Sequence, residues 1–279
     1  MSRRSPEGEA GWMGTQNSKL NGAGCAQIPP MKIHLSRWVC LDVESNLQRL
    51  WAEALGAAAT GAELVVFPEL FLTGYSRPLE PSHAREVFSE VSAAAPDVLF
   101  VFGSISEARH NRVTVWSAGY QLAFYDKVHL FQPNGEHELW DAGTIYVGFE
   151  WHDLRIGLVN CNDIRFPEQA RALKLEGGCD VLVVPAWWPW RRDHIWSTLL
   201  QARAAENQLW VLGCCIAGSV EEIEFAGAGN HVFDTSGEPV RTADDRSYDL
   251  DFDNPPPSIV DPVEQYVAID RVEIVIGEE

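Results

Sequence analysis

Cys161 is placed to react: it follows the apolar run Gly157-Leu158-Val159 and precedes Phe166-Pro167-Glu168, which reads as a helix start. Cysteine is the most nucleophilic side chain near neutral pH. A strand end opening towards a helix N-terminus combines access with a positive dipole that favours thiolate, so the chemistry on offer is covalent attack by sulfur. A cysteine in such a run can equally be a small buried hydrophobe. Two distant segments bear on the choice. Leu64-Val65-Val66-Phe67-Pro68 ends on Glu69, and the run 121–131 carries Lys127 among apolar and aromatic neighbours. An ionised group in an apolar element needs a partner, so mutual contact of Glu69 and Lys127 in a functional site is one reading, and strand-end charges reaching solvent is the other.

Phe67-Pro68-Glu69 with Thr73-Gly74-Tyr75, then Tyr125-Asp126-Lys127-Val128-His129-Leu130-Phe131, then Cys161, Asp163, Arg165, Phe166, Pro167 and Glu168 occur in that order. Together they resemble the three motif blocks of the nitrilase superfamily of carbon-nitrogen hydrolases, and residues 202–207 resemble its helix after the nucleophile. The likeness runs from about residue 31 to about residue 253 and is strongest to the omega-amidase and small-amidase branch. It implies a Glu-Lys-Cys triad. Cys161 would attack a carbonyl carbon to form a thioester, and Glu69 would carry the thiol proton to the departing amine and then activate water. Lys127 and the backbone N–H of Asn162 would hold the oxyanion, each donor contributing roughly 3 kcal/mol. A second glutamate positions substrate in this family. Glu136 is the candidate, Glu138 competes two residues along, and a solvated loop carboxylate is the remaining reading.

The resemblance therefore implies hydrolysis of a small non-peptide amide to ammonia and a carboxylic acid, without metal or cofactor. An N-carbamoyl amide hydrolase or a nitrilase would use the same triad. A catalytically silent oligomeric binding protein on the same scaffold would have no chemical need for all four groups. There are departures from the pattern. Asn162 stands where Tyr is common, Asn160 flanks the nucleophile on the other side, and His194 is separated by Ile195 from Trp196, the family's tryptophan. Asp163 and Arg165 are expected to form a charge-assisted pair.

Pro185 to Arg192 carries three tryptophans just after the apolar run 180–184, at the end of a strand where α/β folds open a ligand crevice. Trp187 and Trp188 either wall the pocket or pack a core or subunit interface. With Asn162 and Tyr75 they are the candidate substrate contacts. Arg191 joins them, because a guanidinium recognises carboxylate through two parallel bonds; Arg191 and Arg192 could hold the distal acid of a dicarboxylate monoamide, or form a solvated rim.

The elements that must position these groups alternate. Residues 43–59 show a helical stripe of Leu47, Leu50, Trp51, Ala54, Leu55 and Ala58, and a second helix is expected over 85–94. Strands near 98–105, 114–121 and 122–128 suggest a meander, followed by a strand at 154–159, a helix at 168–176, a strand at 180–184, a helix at 193–207 and a strand at 209–214. That order is an α/β fold. The resemblance sharpens it to a four-layer α-β-β-α sandwich and implies homodimers or higher homo-oligomers that extend it.

The expected organisation is a flexible extension over residues 1–30, rich in Gly, Ser and Asn, and one hydrolase domain over 31–279. A net charge of −19 excludes a basic nucleic-acid footprint, and no apolar run is long enough to cross a membrane. From Asp234 onward 13 acidic residues face 3 basic ones, a balance of −10 that reads as solvated surface. The six cysteines lack metal-ligand spacing and point to reduced thiols and a cytoplasmic setting, which a sulfur nucleophile requires. His129 reads as a hydrogen-bonded residue of an apolar strand rather than a ligand.

Overall fold

Residues Val43–Ala59 fold as the helix their spacing predicts, burying Leu47, Leu50, Ala54 and Ala57 along one face, with the Asp42 carboxylate accepting the Ser45 N–H at the N-terminus. The structure, a computed structural model, describes residues 30–220, 225–257 and 262–266. Apart from Pro30, the expected N-terminal extension lies outside the described residues.

In chain order the elements are β1 (Met31–Leu35), β2 (Val39–Cys40), α1 (Val43–Ala59), β3 (Leu64–Val66), α2 (Pro81–Ala94), β4 (Leu99–Glu107), β5 (His110–Ser117) and β6 (Tyr120–Asp126). There follow a helical turn α3 (Glu136–Leu139), β7 (Val147–Trp151), β8 (Leu154–Leu158), α4 (Pro167–Leu175), β9 (Val181–Ala186), α5 (Asp193–Asn207) and β10 (Trp210–Cys215). The short strands β11 (Gly218–Ser219), β12 (His231–Phe233), β13 (Pro239–Val240) and β14 (Ser247–Leu250) complete the set. One six-stranded sheet runs β14-β1-β3-β4-β5-β6, the other β13-β12-β10-β9-β8-β7, and β2 pairs with β11. In each large sheet three adjacent parallel strands are flanked by antiparallel ones: β1, β3 and β4 in the first, β10, β9 and β8 in the second.

Alternation along the strands explains the layers. Leu64 and Val66 of β3 and Val181 and Val183 of β9 share one apolar cluster built almost wholly from the two sheets. Their neighbours Val65, Leu182 and Val184 join another cluster, with Leu50 of α1, Phe88 of α2, Leu173 of α4 and Leu200 of α5. Strands buried on both faces in this way stack two sheets face to face between helices, giving the α-β-β-α sandwich.

Gly103 makes the approach of the Glu69 loop possible. It lies at a register shift between β4 and β5, at φ +49°, where a Cβ would come within 1.9 Å of the Pro68 carbonyl oxygen. Gly103→Ala is expected to push that turn away. The left-handed backbone alone costs on the order of 1 kcal/mol, and the overlap adds to it, so the thermal midpoint should fall by roughly 5 °C or more together with turnover. Calorimetry and an activity assay on one preparation would check both.

Candidate active site

The site is assembled from the ends of strands in both sheets. Glu69 lies just past β3, Lys127 immediately follows β6, Cys161 opens a 3-10 turn (Cys161–Arg165) after β8, and Trp187 follows β9. The three motif blocks thus meet in one place. Glu69, Lys127 and Glu136 are wholly buried, and Cys161 is 6% exposed.

Hydrogen bonds fix every charged group. The Lys127 ammonium donates to Glu69 Oε1 at 2.7 Å and to Glu136 Oε1 at 2.9 Å, with Glu136 Oε2 also at 2.9 Å. Glu69 Oε2 accepts the Trp187 N–H at 2.9 Å, and the carbonyl of the same residue, Trp187, lies 3.8 Å from the Cys161 sulfur, so both groups meet at the Trp187 backbone. Glu136 also accepts from Tyr75 Oη at 3.0 Å and from the Phe131 N–H at 2.7 Å. Its rival Glu138 is exposed. Two non-glycine residues here hold left-handed backbone, Leu70 at φ 48° and Cys161 at φ 50°. Such strain persists where surrounding bonds over-determine it: the Leu70 N–H donates to Ser104 Oγ at 3.1 Å, and the Asp163 carboxylate takes the Asn160 N–H at 3.0 Å.

The electrostatics depart from the sequence expectation of an accessible, dipole-favoured thiolate. Burial pushes the Cys161 thiol well above its ordinary value, the Glu69 carboxylate adds to the rise, and Lys127 opposes it. At rest Cys161 is therefore a thiol. Burial disfavours the charged form of Lys127, but Glu69, Cys161 and Glu136 outweigh it and hold the ammonium charged. Burial raises Glu69, with Lys127 opposing and Glu136 reinforcing. Tyr75 is raised well above the phenol range, first by burial and then by the neighbouring acidic groups, so its O–H remains a donor.

A small cavity opens over Cys161, lined by Tyr75, Phe131, Asn162, Arg165, Trp187, Trp188, Pro189 and Arg192. Tyr75, Asn162, Trp187 and Trp188 all reach it. Arg191 does not: both it and Arg192 are exposed, but Arg192 is the one that borders the cavity. A wider groove between β7 and α4, lined in part by Cys179, contains none of the four buried site residues. Trp187 meets Tyr75 edge-on at 5.8 Å, and Trp188 packs against Trp196 at 5.4 Å while Arg165 stacks over it at 4.4 Å, so these rings serve both wall and core.

The expected Asp163–Arg165 pair does not form. Asp163 instead accepts from Tyr125 Oη at 2.7 Å and the His129 N–H at 2.7 Å, with the His129 ring 2.9 Å away. Arg165 donates to Asn162 Oδ1 at 3.1 Å, and Asn162 Nδ2 donates to the His129 carbonyl at 3.0 Å. His129 itself lies beyond β6 and stacks on Phe166 at 3.8 Å. Sequence reasoning passed over Asn111, whose Nδ2 donates to Glu69 Oε1 at 2.8 Å. Its only signal was a polar side chain opening an otherwise β-rich run. Among the described residues no three His, Cys, Asp or Glu side chains are grouped to hold a metal ion, and no helix is long and apolar enough to cross a membrane.

Two sheets face each other between helical layers, and the motif blocks converge at their strand ends. The chain belongs to the carbon-nitrogen hydrolase family, whose profile matches residues 22–247. It is 32% identical to the omega-amidase YafV of Escherichia coli over 226 residues, 78% of this chain and 86% of that protein. It is 35% identical to a 2-oxoglutaramate amidase of Bacillus subtilis over 177 residues, 60% of this chain and 68% of that one. Its fold matches the Saccharomyces cerevisiae Nit3 structure at a TM-score of 0.70 and 24% identity, covering 82% of this chain and 93% of that one. It also matches a variant of a Nesterenkonia amidase bearing an acetamide moiety on its active-site cysteine, at a TM-score of 0.74 and 21% identity, covering 88% and 97%.

Proposed function

We propose that the protein hydrolyses the terminal amide of a small carboxylated monoamide by covalent catalysis at Cys161. What carries the reading is that thiol, carboxylate and ammonium are buried together beside the cavity, the carboxylate and ammonium paired at 2.7 Å and the carboxylate and sulfur both meeting the Trp187 backbone. Glu69 takes the Cys161 proton as sulfur bonds to the carbonyl carbon. The resulting oxyanion is held by Lys127, which spends two of its three N–H bonds on Glu69 and Glu136, and by the Asn162 N–H. Glu69 passes its proton to nitrogen as the C–N bond breaks, releasing ammonia and leaving a thioester. Water then attacks that thioester, its proton returns through Glu69 to sulfur, and the carboxylic acid departs. Glu136, oriented by Tyr75, keeps Lys127 aimed.

Arg165 and Arg192 at the cavity wall support a distal carboxylate on the substrate, in keeping with relatives named omega-amidase and 2-oxoglutaramate amidase. A reduced nucleophile fits a cytoplasmic protein, and a homodimer extending the sandwich fits the superfamily.

Ammonia release from glutaramate-type monoamides, uncharged acyl amides, carbamoyl amino acids and nitriles tests the assignment. The carboxylated monoamide should be preferred. Arg192→Ala should raise its KM by about tenfold, the worth of a charge-assisted hydrogen bond, without affecting the uncharged amide, and the exposed Arg191→Ala should change neither. Equal losses on both amides would remove the carboxylate reading, and preference for a carbamoyl compound or nitrile would replace the substrate class.

A further inference from the structure

We propose that Asn111, on β5, is a positioning residue that orients the Glu69 carboxylate and ties it to the strand end carrying the nucleophile. The inference rests on Glu69 acting as the base. Asn111 is fully buried and touches all three arms of the site. Its Nδ2 donates to Glu69 Oε1 at 2.8 Å, its carbonyl accepts the Lys127 N–H at 3.0 Å, and its Oδ1 accepts Asn160 Nδ2 at 3.1 Å, Asn160 being the residue before Cys161.

Counting lone pairs shows what this does. Glu69 Oε1 receives two donors, Asn111 Nδ2 and Lys127 Nζ, which fill its two acceptor sites. Oε2 receives only the Trp187 N–H at 2.9 Å, so the open site that takes the thiol proton is on Oε2. Without Asn111 both oxygens would have an open site and the carboxylate could rotate. Asn160 is wholly buried as well, and its Nδ2 donates to Asn111, which ties the residue before the nucleophile to β5.

The charged and titratable groups facing Glu69 are Lys127, Glu136, Cys161 and Tyr75. Asn111 is neutral, so removing it leaves all of them in place and deletes one donor to the ionised carboxylate. That makes ionisation harder, and because the base must be ionised to accept the thiol proton, the acid limb of kcat/KM moves to higher pH.

The experiment is a pH–rate profile of ammonia release by the full chain, with melting temperatures measured in parallel. Asn111→Ala should lower kcat by about thirtyfold, hold KM within about threefold and raise the acid limb by about one pH unit. Asn111→Leu keeps the size and the neutrality of the side chain but removes the donor; it should raise the acid limb as well, which covers the case of an Ala variant that does not fold. Asn160→Ala should lose less, and the double variant should be no worse than Asn111→Ala. A lower melting temperature with unchanged kcat and acid limb, or additive losses in the double variant, would overturn the proposal. Turnover surviving in Cys161→Ala would instead sink the covalent mechanism beneath it, whatever Asn111 does.

Discussion

Cys161→Ala should abolish ammonia release, with a fall of at least about a thousandfold, because no other group at the cavity can attack a carbonyl from a position beside Glu69. The variant should still fold. The sulfur is buried, but its polar contact is a weak one, a 3.8 Å approach to the Trp187 carbonyl, so the expected cost in stability is within about 1 kcal/mol. Alanine inherits the same left-handed backbone, so local strain is not relieved. Binding should survive, because the arginines and tryptophans of the cavity are untouched. A melting curve close to the parent, retained substrate binding by calorimetry and no covalent adduct by mass spectrometry form the expected pattern. Turnover above background in this variant would end the thioester mechanism.

Lys127→Met should damage both stability and rate, through separable causes. Glu69 and Glu136 have no exposure and share this one ammonium between them, so removing it leaves two buried carboxylates facing each other. Breaking a buried pair by deleting one partner costs about 3–5 kcal/mol, which for a chain of this size is on the order of 10 °C in thermal midpoint. The rate should fall by about a hundredfold or more as the oxyanion loses a donor. Adding Glu136→Gln removes one of the stranded charges, so the double variant should recover part of the lost stability. It should recover no activity, because the ammonium is still missing. Recovery of both together would mean that Lys127 serves the fold alone.

Helices α1 and α5 were legible to the residue because their apolar stripes recur at helical spacing and their ends carry polar residues. Strands β7, β12, β13 and β14 were not. Three of them are four residues or fewer, and β14 is decided by a partner distant in sequence, β1, whereas β7 pairs locally with β8 and was missed for want of a clear alternation. At the site, residue types announced the four buried groups, yet their surroundings were harder to read. Glu136 and Glu138 have the same chemistry, and only the fold of the loop buries one and exposes the other. Asp163 was expected to choose the nearest cation, Arg165; donors from Tyr125 and His129, more than thirty residues upstream, claim it instead. The state of the Cys161 thiol was also misjudged, since local geometry suggests a dipole and only the assembled molecule reveals the desolvation that outweighs it. Arg191 and Arg192 are identical in sequence terms and both exposed, yet only Arg192 borders the cavity.

The base and the ammonium hang from one sheet, the sulfur and the Trp187 amide from the other. One chain segment, from β6 to β7, crosses between the two sheets beside the cavity, and the seam of apolar side chains, mostly Val, Leu and Ile, packs the sheets against each other. That greasy layer is thus the caliper of the reaction, setting how far proton donor and acceptor stand apart. Drift in sequence at its centre, many residues from any polar group, would be felt first as a mistimed proton transfer and only afterwards as a weaker fold.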